Sequence, residues 1–251
     1  MSVRELSGTN AIVTGSSRGF GRATAISLAA LGAHVVGVAR SAGPLRELRE
    51  QLGEAFTPEV ADVADPSLPA RLYSLYRPQT VVLNAGAMPK AGALQVQTWE
   101  TFSSNWNVDV RHVFDFIREA LTTPLDPGSV VVSLSSGAAL RGSPLSGGYA
   151  GAKSTIKFIS SYAGSEAQRS GSNIRFRAVL PQLTPATDLG RIYTETYAAQ
   201  AGLSVAQFLE QGFGGELSAD QVGKGICDLV ADDSYAAPAY LLTPGGLQPV
   251  D

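Results

Sequence analysis

The stretch Asn10-Ala11-Ile12-Val13-Thr14-Gly15-Ser16-Ser17-Arg18-Gly19-Phe20-Gly21 decides how the rest of the chain is read. A short apolar run that stops at a glycine-rich turn predicts a buried strand, then the start of a helix. Glycines at 15, 19 and 21 let the backbone turn tightly and come close to a pyrophosphate. A helix starting near Gly19 would aim its unpaired N–H groups and the positive end of its dipole at that anion. A glycine cluster alone is weak evidence, since ordinary turns use the same residues. Its surroundings strengthen it: a helix is predicted from Phe20 to Leu31, ended by Gly32, and a second buried strand from His34 to Ala39.

The same alternation continues outward. A polar, helix-favouring stretch runs from Pro44 to Leu52, followed by a weaker strand at Glu59–Asp62 and a helix opened by Asp65-Pro66. Strands are predicted at Thr80–Asn84, Ser129–Leu134 and Ile174–Leu180, with long helices at Trp99–Leu121 and Tyr149–Ser170 between them. The tail Tyr240–Gly246 reads as a last strand with a tight turn. Strands that are apolar throughout, alternating with helices, predict an α/β fold: a doubly wound parallel sheet of Rossmann type, covered on both faces. The 251 residues fit one domain, 1–251, with no linker or repeat. The segment Pro181–Ser218 breaks the rhythm, and an insertion near 185–213, helix-like around Tyr193–Leu209, lies where a binding lid would lie.

Composition narrows the function. Charged residues make up 16% and the net charge of −3 has no block of like sign behind it, which argues against nucleic acid or a membrane surface as partner. Cys227 is the single cysteine, so an intrachain disulfide is impossible and a buried apolar role is expected. Met1–Leu6 does not read as a signal peptide and no run of 18 apolar residues occurs, so a cytoplasmic protein is expected. After the second strand, an NAD site usually places an acidic residue for the ribose hydroxyls, whereas this chain has Ala39-Arg40-Ser41. Arg40 with Arg18 offers two guanidinium groups where a 2′-phosphate would sit, and this points to NADP(H).

With these residues in hand the chain resembles the short-chain dehydrogenase/reductase family, in its subclass of about 250 residues, over nearly its whole length. The Thr14–Gly21 loop comes first, and Asp62-Val63 stands where the family holds the adenine ring. Asn84-Ala85-Gly86 ends the fourth strand, Ser136 precedes Tyr149 by thirteen residues, and Tyr149-Ala150-Gly151-Ala152-Lys153 carries a Tyr-x-x-x-Lys motif. The resemblance implies an NADP(H)-dependent oxidoreductase that interconverts a ketone or aldehyde and an alcohol, as a carbonyl reductase or alcohol dehydrogenase. Gly15, Ser17, Arg18, Gly19, Phe20, Gly21, Arg40, Asp62, Val63, Asn84, Ala85 and Gly86 would hold the cofactor.

Tyr149 and Lys153 are one helical turn apart and share a face. A free phenol has a pKa near 10, and a neighbouring ammonium stabilises its phenolate, which turns a sluggish group into a usable acid/base. By resemblance Lys153 also holds the nicotinamide ribose, and Ser136 would bond the substrate oxygen. Pro181-Gln182-Leu183-Thr184-Pro185-Ala186-Thr187 resembles the segment that closes over the nicotinamide, with Gln182 in place of the usual Gly and Thr187 one residue late. Contacts are expected from Pro181, Leu183, Thr184 and Thr187.

The larger departure is on the long helix. The family often has a catalytic Asn there, in a setting like Asn-x-x-Gly-x-Phe; counting back from Phe114 puts Asp109 in that position, with His112 for the Gly. Asn107 lies roughly 200° round the helix and is not expected to substitute. Asp109 would keep the proton relay running with altered pH dependence, since a carboxylate near Lys153 partly cancels the lysine's charge. Ala138, Leu145, Leu189, Tyr193 and Phe208 are expected to line an apolar, aromatic substrate pocket for a largely uncharged molecule. The two long helices should pair across two-fold axes in a homodimer or homotetramer. A catalytically impaired dinucleotide-binding regulator is the alternative that the Asp109 and Gln182 departures raise.

Overall fold

Side chains buried on both faces make the strands. The computed structural model describes residues 4–251. In chain order the elements are β1 (Asn10–Thr14), α1 (Gly19–Ala30), β2 (His34–Ala39), α2 (Ala42–Leu52), β3 (Phe56–Val60), α3 (Leu68–Tyr76) and β4 (Thr80–Leu83). Then come α4 (Trp99–Asn105), a π-helical segment (Trp106–Val110), α5 (Arg111–Thr122), β5 (Val130–Leu134), α6 (Ala138–Arg141) and α7 (Gly147–Ser170). β6 (Arg175–Pro181), α8 (Asp188–Gln200), α9 (Val205–Phe213), α10 (Ala219–Ala231), β7 (Ala239–Thr243) and β8 (Gly246–Val250) follow. The strands form one sheet in the order β3-β2-β1-β4-β5-β6-β7-β8, parallel from β3 to β7, with β8 antiparallel on β7.

Alternate residues of each strand serve opposite layers. Val13, Val35, Val82 and Val132 pack with Leu28, Leu45, Val222 and Ile226 of α1, α2 and α10. Ile12, Val36, Val81 and Val131 pack with Leu72, Phe116, Ile117 and Ile156 of α3, α5 and α7. Each such side chain contributes about 1.5–3 kcal/mol by leaving water, which is why these strands read as continuous apolar runs. The strand order reverses between β1 and β4, and in such sheets the crevice at the carboxyl ends there takes the ligand.

Four expectations are corrected. The weak strand is Phe56–Val60, not Glu59–Asp62: on the sheet edge only Phe56 is buried, so the apolar signal is thin, and Pro58 is tolerated there. Asp62 and Val63 fall in the loop beyond it. The helix Trp99–Leu121 is interrupted by the π segment, an extra residue of winding centred on the site. The insertion holds two helices instead of one: Gly202 (φ +68°) breaks the chain, and Ser204 and Gln207 cap α9 reciprocally. Past Gly245, Gly246 (φ +101°) turns the chain into β8, a strand not anticipated. Among the described residues no helix is long and apolar enough to cross a membrane. The reading of Met1–Leu6 rests partly on residues 1–3, which lie outside the described ones.

Candidate active site

Thr14 and Asn84 stitch the two strand ends at the switch point. The Thr14 hydroxyl accepts from the backbone N–H of Asn84 (2.9 Å) and of Ala85 (3.2 Å), and Asn84 Nδ2 donates to the carbonyls of Thr14 (3.0 Å) and Gly15 (3.2 Å). The loop between β1 and α1 is thereby pinned open. Gly21 must be glycine, since a Cβ there would lie 2.3 Å from the Gly15 carbonyl oxygen and 2.4 Å from Asn84 Nδ2. Gly15 and Gly19 adopt φ of +69° and +55°, a region that favours glycine. Above this loop opens a cleft of about 500 Å³. Every expected cofactor residue lines it except Gly21, which works from behind by letting α1 approach the loop. A bare glycine cradle at a helix N-terminus, with a cleft of the size that holds a small molecule, fits a dinucleotide. Arg18 and Arg40 are both exposed at its rim; Arg18 Nη1 also reaches Asp188 Oδ2 at 2.6 Å, joining the loop to the first residue of α8.

Ser136, Tyr149, Lys153 and Asp109 all line the same cleft. Ser136 sits two residues past β5, where its Oγ accepts from the Ala138 N–H at 3.2 Å and opens α6. Lys153 is carried inward by α7: its Nζ donates to the Leu134 carbonyl (3.1 Å), lies 3.2 Å from Asp109 Oδ2 and stands 5.5 Å from the centroid of the Tyr149 ring. Burial pushes the Lys153 pKa down, but the Asp109 carboxylate, with a further contribution from Tyr149, outweighs it, and the net direction is up. Lys153 is therefore a protonated cation.

Asp109 is buried under the end of β4, where Oδ1 accepts from the Ala87 N–H at 2.8 Å. Gly86 leaves room for it: a Cβ there would meet Oδ2 at 2.9 Å. Asn105, missed from the sequence, is also buried and donates to the Ala87 carbonyl (2.8 Å) and to Asp109 Oδ2 (3.4 Å). Only its spacing, one turn before Asp109, could have flagged it. Asn107 is exposed, as its angle on the helix requires. His112 is fully buried with neither ring nitrogen at bonding geometry to any partner. Burial, with the Lys153 charge adding to it against the Ala85 backbone, pushes its pKa down to about 3, so the ring is neutral.

The segment after β6 is fastened at both ends. Gln182 Nε2 donates to the Gly215 carbonyl at 2.9 Å, and Thr184 Oγ1 to that of Leu217 at 2.5 Å. Thr187 caps α8 by accepting from the Gly190 N–H at 3.0 Å, which leaves its own O–H free to donate. Of the expected substrate residues, Leu189 lines the cleft and Ala138, Leu145, Tyr193 and Phe208 do not. Tyr193 is buried against the 143–146 turn, where Tyr197 bonds Ser143 (2.8 Å) and Ser143 bonds Ser146 (2.6 Å). Among the described residues the Tyr193 hydroxyl forms no well-shaped hydrogen bond, Ser146 being the side chain that bears on it.

The comparisons with known proteins bear on the fold and the family. The chain is 29% identical over 170 residues to a tetrahydroxynaphthalene reductase of Pestalotiopsis fici, an alignment covering 64% of this chain and 61% of that one. It is 30% identical over 128 residues to carbonyl reductase [NADPH] 2 of Sus scrofa, covering 50% and 52%. The chain thus spans only about half to three fifths of these relatives' length. The crystal structure of levodione reductase superposes with a TM-score of 0.83 at 23% identity, covering 96% of this chain and 98% of that one, a likeness of fold. The model of the short chain dehydrogenase family matches residues 9–198, which hold the glycine loop, Ser136, Tyr149 and Lys153, and the chain belongs to that family.

Proposed function

We propose that this protein is an NADP(H)-dependent oxidoreductase that interconverts a ketone or aldehyde and an alcohol, residues 1–251 acting as one domain. The observation that carries the reading is the convergence of Ser136, Tyr149 and Lys153 on the cleft that the glycine loop opens. The glycine loop would hold the pyrophosphate and Arg18 with Arg40 the 2′-phosphate. Asp62 and Val63 would border the adenine, and Lys153 the nicotinamide ribose. A bound nicotinamide supplies or accepts the hydride.

The protein's own work is proton handling. Tyr149 Oη gives its proton to the oxygen that gains negative charge in reduction, and takes the hydroxyl proton in oxidation. Lys153, fixed by Leu134 and Asp109, sets a positive charge beside the phenol and favours its ionised form. The Ser136 hydroxyl donates to the same substrate oxygen. Asp109 couples to this centre through Lys153. The exposed Phe114 of α5 and Phe158 and Tyr162 of α7 suit pairing with a second copy in a homo-oligomer.

A cofactor titration followed by a ketone panel tests the reading. Quenching by NADPH at lower concentration than by NADH, with turnover of a ketone that Tyr149→Phe abolishes while still binding NADPH, is the expected result. Quenching without turnover of any panel member would assign the protein to the second reading, a dinucleotide-binding regulator. That reading draws on the Asp109 carboxylate, which sits where it offsets the lysine's charge.

A further inference from the structure

Two side chains close on the backbone of one residue, Ala87, beyond the end of β4. Asp109 Oδ1 takes the Ala87 N–H at 2.8 Å and Asn105 Nδ2 takes the Ala87 carbonyl at 2.8 Å, so both backbone groups of Ala87 are satisfied by α4 and the π segment. The second Asp109 oxygen, Oδ2, then faces Lys153 Nζ at 3.2 Å, with Asn105 Nδ2 at 3.4 Å on its other side. Asn105 and Asp109 are each 1% exposed, so these contacts are made away from bulk water. A carboxylate held by two donors besides the lysine keeps one rotamer, and a buried cation is stabilised in proportion to how closely its counter-charge is held.

We infer that Asn105 is a positioning residue for proton transfer: it holds the Asp109 carboxylate against Lys153 and so keeps the lysine's charge in place beside Tyr149. The inference rests on the reading that Lys153 serves Tyr149. The groups that bear on this lysine are Asp109 from the π segment, Tyr149 from its own helix, His112 from α5 and the Leu134 carbonyl from β5. Of these the Asp109 carboxylate is the counter-charge in contact with the ammonium, so its orientation decides how firmly the buried lysine keeps its proton. Asn105→Ala frees one side of that carboxylate. The carboxylate offsets part of the lysine's field at the phenol, but burial bears most strongly on the lysine and would strip its proton without that counter-charge. With the carboxylate loosened the ammonium is less well held, and the phenolate it favours forms at higher pH.

The test is a thermodynamic cycle over Asn105→Ala, Asp109→Ala and the double variant. Its readout needs no substrate: phenolate ultraviolet absorbance across pH on the NADP⁺-saturated protein, with Tyr149→Phe as the blank. Asn105→Ala is expected to move the Tyr149 signal to higher pH by about half a unit to one unit, as for the weakening of one hydrogen bond to a charged group. In the Asp109→Ala background the same substitution is expected to move it no further. Equal movement in both backgrounds, or none in either, overturns the inference and leaves Asn105 a structural tie to Ala87. Asn105→Ser, which keeps a donor, covers the case in which the alanine variant does not fold; its signal should fall between the two. If the blank shows that Tyr149 gives no titrating signal in the wild type, the fault lies with the reading of Tyr149 itself.

Discussion

His112 makes a prediction that is independent of any substrate. Its ring is wholly buried, has among the described residues no well-shaped hydrogen bond at either nitrogen beyond a weak influence of the Ala85 backbone, and meets Phe116 edge-on at 5.0 Å between centroids. In the unfolded chain it takes a proton at its ordinary value of 6.5; in the fold it refuses one until about 3. Because the folded value is depressed, the unfolded state binds more protons between these limits. Stability is therefore intact above about pH 6.5 and is lost as pH falls toward 3, at about 1.4 kcal/mol per pH unit. At pH 5 the loss relative to pH 8 is about 2 kcal/mol, against a usual total of about 5–15 kcal/mol. The perturbation is His112→Leu, which keeps bulk and removes the titration. Urea unfolding of wild type and variant at both pH values gives the answer: the wild type should lose about 2 kcal/mol more than the variant between pH 8 and pH 5. Carboxylate titrations cancel in that difference. Equal losses in the two proteins would refute the argument and mean that the ring finds a proton acceptor inside the fold.

Other outcomes can be checked alongside. Asp109→Asn removes a charge 3.2 Å from Lys153, an interaction of about 5 kcal/mol at an effective dielectric of 20, so the pH–rate profile should change shape and not merely height; an unchanged profile would uncouple Asp109 from the site. Gly21→Ala drives a methyl against the Gly15 carbonyl and Asn84, neither of which can retreat. Dinucleotide quenching should disappear, and a variant that still binds would disprove the cradle. The Cys227 thiol, pushed up to about 12 by burial, should resist a thiol reagent at pH 8 until the protein unfolds. Tyr193→Phe deletes a buried hydroxyl without a well-shaped hydrogen bond, so the melting temperature should hold or rise; a drop of several degrees would mean that it bonds Ser146.

Sheet and cleft were legible because their signals are local. Every central strand is apolar on both faces, and the glycines at 15, 19 and 21 stand directly between a strand and a helix. β3 begins three residues and ends two residues before the expected bounds, because an edge strand with one buried side chain has no such signal. Asp109 was found by its spacing from Phe114, yet Asn105 was not, since its role depends on reaching the backbone of a residue 18 positions away. The substrate side was the least legible. Leu189 lines the cleft and Ala138, Leu145, Tyr193 and Phe208 do not; where Tyr193 lies depends on how α8 packs on the 143–146 turn, which no periodicity encodes.

The π winding between α4 and α5 amounts to one residue more than a continuous helix needs. Chain length, not only residue identity, therefore governs this centre. Deleting Trp106, which is 38% exposed, would let the backbone relax into uninterrupted α-helix at small cost to the core. Because the winding already absorbs the extra residue, its loss would leave the turns on either side facing nearly as they do, with Asn105 three residues before Asp109 instead of four and still on the same side of the helix. A single codon loss would thus tighten the spacing of this pair and its reach to the Ala87 backbone, leaving every residue of the cleft chemically as it was.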